Sequence, residues 1–238
     1  MGDVWNRLVD WLDGVDKALF LALNSHYSDL SDNFMLLVTD KWVWIPFYLL
    51  LIYLIVKSAR KESFWYIMLI LLTIVLADQF ASGLCKPLFE RFRPVHAPEL
   101  EGMVHSVIGK NADLYGFISS HAANCFGLAM FTALYFRRWQ FSLLVFGWAA
   151  LNAYSRISLG MHYPGDLLAG ALAGMLFAWL CYLLAEWCIT HTTFCSYPSS
   201  RQGRKRRFNR LSNTDLYVCW GMMAVVVWMC FQSGRILL

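Results

Sequence analysis

Charge is scarce in this chain. Only 15% of its 238 residues are Asp, Glu, Lys or Arg, against about 25% in an ordinary soluble domain. That deficit excludes a typical soluble globular protein. A nucleic-acid binder is excluded as well, because the net charge is only +4 and the basic residues follow no continuous face. Seven cysteines are present (Cys85, Cys125, Cys181, Cys188, Cys195, Cys219 and Cys230). The odd count, with most of them inside apolar runs, gives neither a disulfide framework nor a metal-like spacing. They read as small buried hydrophobes. No H-E-x-x-H or similar histidine spacing occurs, so no metal and no cofactor is expected. There is no internal repeat. A cleavable signal peptide is not expected, because Asp3, Asp10, Asp13 and Asp16 interrupt the first apolar stretch.

What is abundant is apolar. Hydrophobic residues make up 58% of the chain, and the mean hydropathy is +0.47. Runs of about 17–25 apolar residues cross a bilayer as helices. Six are read here: Trp42–Val56, Phe64–Cys85, Ser120–Phe136, Phe141–Ser155, Pro164–Cys188 and Leu216–Phe231. Ahead of them, Val4–Leu23 alternates apolar and acidic residues at helical spacing. That pattern suits either an interfacial helix lying on the bilayer or a helix packed on the bundle. The expected fold is all-α: a polytopic membrane bundle of six transmembrane helices with an N-terminal interfacial amphipathic helix. It forms a single domain over 1–238, divided into an interfacial helix at 1–34, a catalytic motif region at 86–166 and a basic cytoplasmic loop at 190–215.

The basic residues set the orientation. Of the twenty Lys and Arg, eleven fall in three connections on one side: Lys57, Arg60 and Lys61; Arg137 and Arg138; and Arg201, Arg204, Lys205, Arg206, Arg207 and Arg210. The positive-inside rule assigns that side to the cytoplasm. Both termini and the polar motifs then face outward. Gln202–Arg210 reads as a topology anchor or as a site for anionic headgroups.

Three short polar stretches stand at the ends of apolar runs on that outer side. The first runs from Lys86 to Arg93-Pro94, the second is Ser119-Ser120-His121, and the third is Ser155-Arg156 followed by His162 and Asp166. Lysine brings a point charge, and arginine a planar fork that grips two oxygens. Charged residues at apolar borders are functional candidates, with snorkelling to the interface as the plainer reading. Arg91, by contrast, reads as a solvated or lipid-facing charge. Ser119 and Ser120 precede a helix, where serine serves as a cap and free N–H groups also attract anions. Pro164 opens the next helix and puts Asp166 in its first turn, within reach of His162. A carboxylate on one ring nitrogen fixes the tautomer and frees the other nitrogen to attack. Asp78 and Ser82 stand one to two turns before Lys86, and Asn152 one turn before Arg156, as supporting groups.

The ordered set resembles the signature of the type 2 phosphatidic acid phosphatase (PAP2) family, whose site is shared with vanadium haloperoxidases. That signature reads K-x6-R-P, P-S-G-H and S-R-x5-H-x3-D. The first and third spacings are kept. In the second, Ile118 replaces the family's Pro and Ser120 its Gly. The resemblance covers roughly residues 78–174. It implies a lipid phosphate phosphatase acting through a phosphohistidine: His162 as nucleophile, Asp166 as its orienter and His121 as the acid that protonates the leaving group. Lys86, Arg93, Ser119, Ser120 and Arg156 would bind phosphate. In a Gram-negative cell the site would face the periplasm from the inner membrane. The candidate substrates are undecaprenyl diphosphate, a lipid A phosphate, phosphatidylglycerol phosphate and phosphatidic acid. A haloperoxidase, or a non-catalytic transporter or scaffold, is the alternative. The sequence leaves the oligomeric state open.

Overall fold

The computed structural model describes residues 2–109, 112–191 and 211–236. They form helices and connecting turns, with no strand beyond one isolated bridge between Phe92 and Tyr115. The chain begins with α1 (Gly2–Asn24) and α2 (Asp29–Thr39). It continues with α3 (Ile45–Ala59), a tight turn at Arg60–Glu62, and α4 (Ser63–Asp78). The axis of α4 runs on through a π-helical stretch, Gln79–Cys85, into the short α5 (Lys86–Phe89). A long loop then leads to α6 (Ser120–Phe136), α7 (Trp139–Ser158) and α8 (Pro164–His191). The last described helix is α9 (Asn213–Ile236).

Each of the six apolar runs read from the sequence falls on one of these helices, although Trp42 to Trp44 form a turn ahead of α3. Among the described residues, three stretches are long and apolar enough to cross a membrane: Ile45–Phe89, Pro164–His191 and Asn213–Arg235. The first of them reverses at Arg60, whose φ is 52°, and so contains both α3 and α4. The expectation for the basic loop falls largely on 192–210, outside the described residues.

Local chemistry explains the boundaries. Ser28 caps α2 by accepting from the Ser31 N–H, and Ser119 caps α6 by accepting from the Ala122 N–H. Pro46 lies in the first turn of α3, where its missing N–H costs nothing. Arg137 closes α6 in the left-handed region.

α6 is the axis of the bundle, packed between α8, α7 and α4. Its closest approach is to α8, through Gly170 and Gly174. A Cβ on Gly170 would lie 2.4 Å from the Ser119 carbonyl oxygen, and one on Gly174 2.0 Å from that of Ala123. Without a side chain at these two positions, the backbones can touch, as small residues four apart allow in membrane helices. Buried aromatics fill the opposite half, where Tyr66, Tyr135, Phe136 and Phe141 stack edge to face in sequence. The outside stays apolar, with Leu49, Val75, Leu168 and Trp228 all more than half exposed.

α1 extends over the whole stretch expected to be helical. Trp11, Leu12, Val15 and Leu19 are exposed while Phe20 is fully buried. Its C-terminal end is fixed by Asn24, whose amide donates to the carbonyls of His105, Ile157 and Ser158. The segment expected as one unit at 1–34 is two helices in the structure. The turn at 25–28 redirects the chain so that α2 packs on α9 and α7.

Candidate active site

Four chain segments converge at one end of the bundle. The first is the π-helical stretch and α5. A π turn widens the helix and recurs at functional sites; here it ends at Lys86, whose Nζ donates to Ser82 Oγ at 3.3 Å. Ser82 therefore supports Lys86. Lys86 is half-buried and lies within electrostatic range of Arg93, Arg156, Asp78 and Asp113.

The second segment is the loop after α5. Residues 91–93 run antiparallel to 114–116: the Arg93 N–H donates to the Leu114 carbonyl and the Gly116 N–H to that of Arg91. The Arg93 side chain is 4% exposed. Its Nε donates to the Tyr115 carbonyl at 3.2 Å, and Nη2 reaches Asp113 at 3.3 Å. Nη1 finds no partner among the described residues. Burial lowers the pKa of this guanidinium, against the pull of Asp113 and Asp166. A desolvated cation with an unused donor is suited to an anion.

The third segment is the start of α6. Ser119 is fully buried. Its hydroxyl caps the helix and its N–H donates to the Asp166 carbonyl at 3.0 Å. Ser120 is half-buried at the first helical position, and His121 follows. The Asn152 side chain lies in hydrogen-bond reach of His121. Asn152 itself donates through Nδ2 to the Trp148 carbonyl at 3.0 Å. His121 Nε2 is buried without a partner among the described residues.

The fourth segment joins α7 to α8. Arg156 donates through Nη1 to Thr39 Oγ1 at 3.0 Å, and its buried Nε has no partner among the described residues. His162 is 3% exposed and Asp166 fully buried. His162 Nδ1 lies 3.5 Å from Asp166 Oδ2, an ion-pair distance longer than a formed hydrogen bond. The same carboxylate oxygen accepts from the Tyr163 N–H at 3.0 Å. Burial pushes the His162 imidazole down to about 4, against Asp166 and with the help of Arg93 and Arg156. The ring is therefore neutral at physiological pH, the state a nucleophile needs.

The structure thus gathers Lys86, Arg93, Ser119, Ser120, His121, Arg156, His162 and Asp166 into one region. Three contributors escape the sequence reading. Arg91 turns inward and pairs with Asp166 Oδ1 at 2.8 Å, correcting its reading as a solvated or lipid-facing charge. Gly116 lies between Arg93 and the dyad: a Cβ there would be 3.1 Å from Arg93 Cγ and 3.3 Å from Asp166 Oδ2. Tyr163 stands behind Arg91, which stacks 4.2 Å over its ring. None of the three sits in a recognisable local pattern, and only the tertiary fold brings them to the dyad.

Next to this cluster lies a cavity of about 650 Å³ between α3, α4, α6 and α7. Leu51, Ile52, Ile55, Ile70, Ile74 and Leu128 line most of it, and its polar lining includes His121, Asn124, Arg156 and, from the end of α2 onward, Thr39, Asp40 and Lys41. Four buried polar atoms on its lining residues have no partner among the described residues: His121 Nε2, Asn124 Oδ1, Trp148 Nε1 and Arg156 Nε. Buried polar groups are nearly always paired, and these four atoms are closed off from solvent as well. Among the described residues no three His, Cys, Asp or Glu side chains converge as metal ligands.

Comparison with known proteins adds a family. Residues 67–190 match the family model of the PAP2 superfamily. The chain is 39% identical to a lipid A 4'-phosphatase of Bacteroides thetaiotaomicron, over 75% of this chain and 80% of that one. It is 35% identical to a lipid A 4'-phosphatase of Porphyromonas gingivalis, over 75% and 77%. It is 31% identical to a putative undecaprenyl-diphosphatase of Escherichia coli, over 68% and 69%. No solved structure matches the chain.

Proposed function

This chain belongs to the PAP2 superfamily and is a phosphate-ester hydrolase of that family, and from that premise we propose that it removes a phosphate from lipid A, with undecaprenyl diphosphate as the next candidate. The observation that carries the reading is the position of His121 and Arg156 on the lining of a mostly apolar cavity. A lipid phosphate is built the same way, with a polar head on an apolar body. Lipid A stands first among the candidates because two relatives, at 39% and 35% identity, are lipid A 4'-phosphatases.

The reaction proceeds in two displacements. Lys86, Arg93 and Arg156 hold the phosphoryl oxygens, together with N–H groups at the start of α6. They stabilise the charge spread over those oxygens in the transition state. His162 attacks phosphorus through Nε2 while Asp166 faces Nδ1. The bond from phosphorus to the lipid oxygen breaks, and His121 gives that oxygen its proton. Water, losing a proton to His121, then attacks the phosphohistidine and releases inorganic phosphate and neutral His162. Three side-chain cations do the work of a metal ion here.

The whole chain forms one membrane domain. Its six apolar helices cross the bilayer, α1 lies at the outer interface, and the site opens outward into the periplasm of a Gram-negative cell. The test is phosphate release from purified lipid A, undecaprenyl diphosphate, phosphatidylglycerol phosphate and phosphatidic acid in detergent, with and without EDTA. Release from lipid A, insensitive to EDTA, is expected. No release from any of the four, or activity lost to EDTA and restored by magnesium, overturns the reading.

A further inference from the structure

The reading above leaves one partly buried ion cluster unused. Arg91 binds three carboxylates from two distant parts of the chain. Nη1 donates to Asp166 Oδ1 at 2.8 Å, and Nη2 lies 2.7 Å from Asp13 Oδ1 and 2.8 Å from Asp16 Oδ2. Asp13 and Asp16 belong to α1. Asp16 does a second job: its Oδ1 accepts from the Gly165 N–H at 2.7 Å, so α1 supplies an acceptor to the first turn of the helix that carries Asp166. Gly165 allows this approach, since a Cβ there would sit 2.6 Å from Asp16 Oδ2. Tyr163 backs the guanidinium from the other side.

We propose that Arg91 is a positioning residue for the His162–Asp166 dyad and that α1, through Asp13 and Asp16, completes the site by holding Arg91 in place and sharing its charge. The inference rests on His162 being the nucleophile. With Oδ1 tied to Arg91 and Oδ2 to the Tyr163 N–H, Asp166 has one orientation available, and it turns Oδ2 toward His162. Arg91 also decides how much of the carboxylate's charge His162 feels. Shared among three carboxylates, the guanidinium draws little from Asp166. Facing Asp166 alone, it would draw more. The other groups facing His162 are Arg93 from the loop, Arg156 from α7 and His121 from α6, while Lys17 of α1 joins the Arg91 cluster, pairing with Asp13 Oδ2 at 2.6 Å and with Glu99. α1 exposes Trp11, Leu12, Val15 and Leu19 on its other side, so the same helix presents an apolar face outward and an acidic face to the dyad.

The two halves of this cluster make opposite predictions. Arg91→Met removes the competing cation, and the acid limb of kcat/KM should move up by about one pH unit, the low end of what a neighbouring charge does. Asp13→Asn with Asp16→Asn leaves the Gly165 contact an acceptor but puts the whole Arg91 charge on Asp166 and releases Lys17 from Asp13; both changes should move the limb down. Arg91→Lys keeps the charge without the fork, so the limb should stay while kcat falls. Profiles are taken on the full-length protein with one lipid phosphate monoester in detergent micelles, so the substrate's own ionisation is common to all variants. If Arg91→Met does not fold, the double Asn variant carries the test alone. Acid limbs that coincide with wild type in every folded variant overturn the proposal. His162→Ala is run beside them. If it keeps activity, the nucleophile assignment itself fails. If it is inactive and the limbs coincide, only the role of Arg91 and α1 fails.

Discussion

The two histidines of the site have different surroundings, and different losses should follow. His162 is enclosed with Asp166 and backed by Arg93 and Arg156, while His121 opens on the apolar cavity. His162→Ala should abolish turnover with every substrate. His121→Ala should cost roughly 10²–10⁴-fold with a lipid alcohol as leaving group, and far less with p-nitrophenol, which leaves without a proton. Steady-state assays on both substrates check this; equal losses on the two would remove His121 from the acid role. Burial of His162 also links pH to stability. The unfolded chain takes up its proton near pH 6.5, and the folded chain only at about 4. Protons therefore favour the unfolded state between these values, and stability falls as pH falls through that window. The melting temperature in detergent should drop less steeply for His162→Gln than for wild type over the same range. At this scale the sequence offers eight candidate site residues, because they stand at family-like spacing beside apolar runs, and the structure brings them to one region. It hides Arg91, whose partners Asp166 and Asp13 lie 75 and 78 residues away, and no local pattern announces such a pairing.

At the scale of elements, the site depends on how closely α8 lies on α6. Ser119 N–H reaches the Asp166 carbonyl only because Gly170 and Gly174 let the two backbones meet. Gly174→Val would drive a branched side chain into the Ala123 carbonyl, and overpacking of this kind costs typically about 1–3 kcal/mol. A lowered melting temperature together with lost activity is expected. Gly221→Val is the control, since nothing lies within 4 Å of a Cβ there. Equal behaviour of the two variants would mean that the α6–α8 contact does not hold the site. Six helices were legible as apolar runs because lipid-facing and core-facing residues are alike in polarity. For the same reason the runs carry little information on which face packs where. α2 was not legible: its sequence, with Asp29, Asp32 and Asn33 in 11 residues, is too short and polar to stand out. Nor was the π-helical stretch before Lys86, since a single widened turn leaves the hydrophobic period nearly intact.

For the molecule as a whole, the account places the catalytic end outside the cell membrane and the Arg60–Glu62 turn inside. A cysteine at Pro98, in a background without native cysteines, should react with an impermeant maleimide on intact spheroplasts. One at Lys61 should react only after lysis. The reverse pattern would turn the site to the cytoplasm and change the pool of lipids it meets. The basic residues carry the expectation of orientation that this labelling tests. The cavity was not, because its walls come from four helices. The central claim is that this membrane bundle cleaves a lipid phosphate through covalent attachment to His162. The direct measurement is a rapid quench of the full-length protein with radiolabelled lipid phosphate, followed by counting of label on the intact chain. Wild type should carry an acid-labile, alkali-stable label that water removes with time, and His162→Ala should carry none. Turnover of the lipid with no label on wild type, or the same label on His162→Ala, would contradict the account.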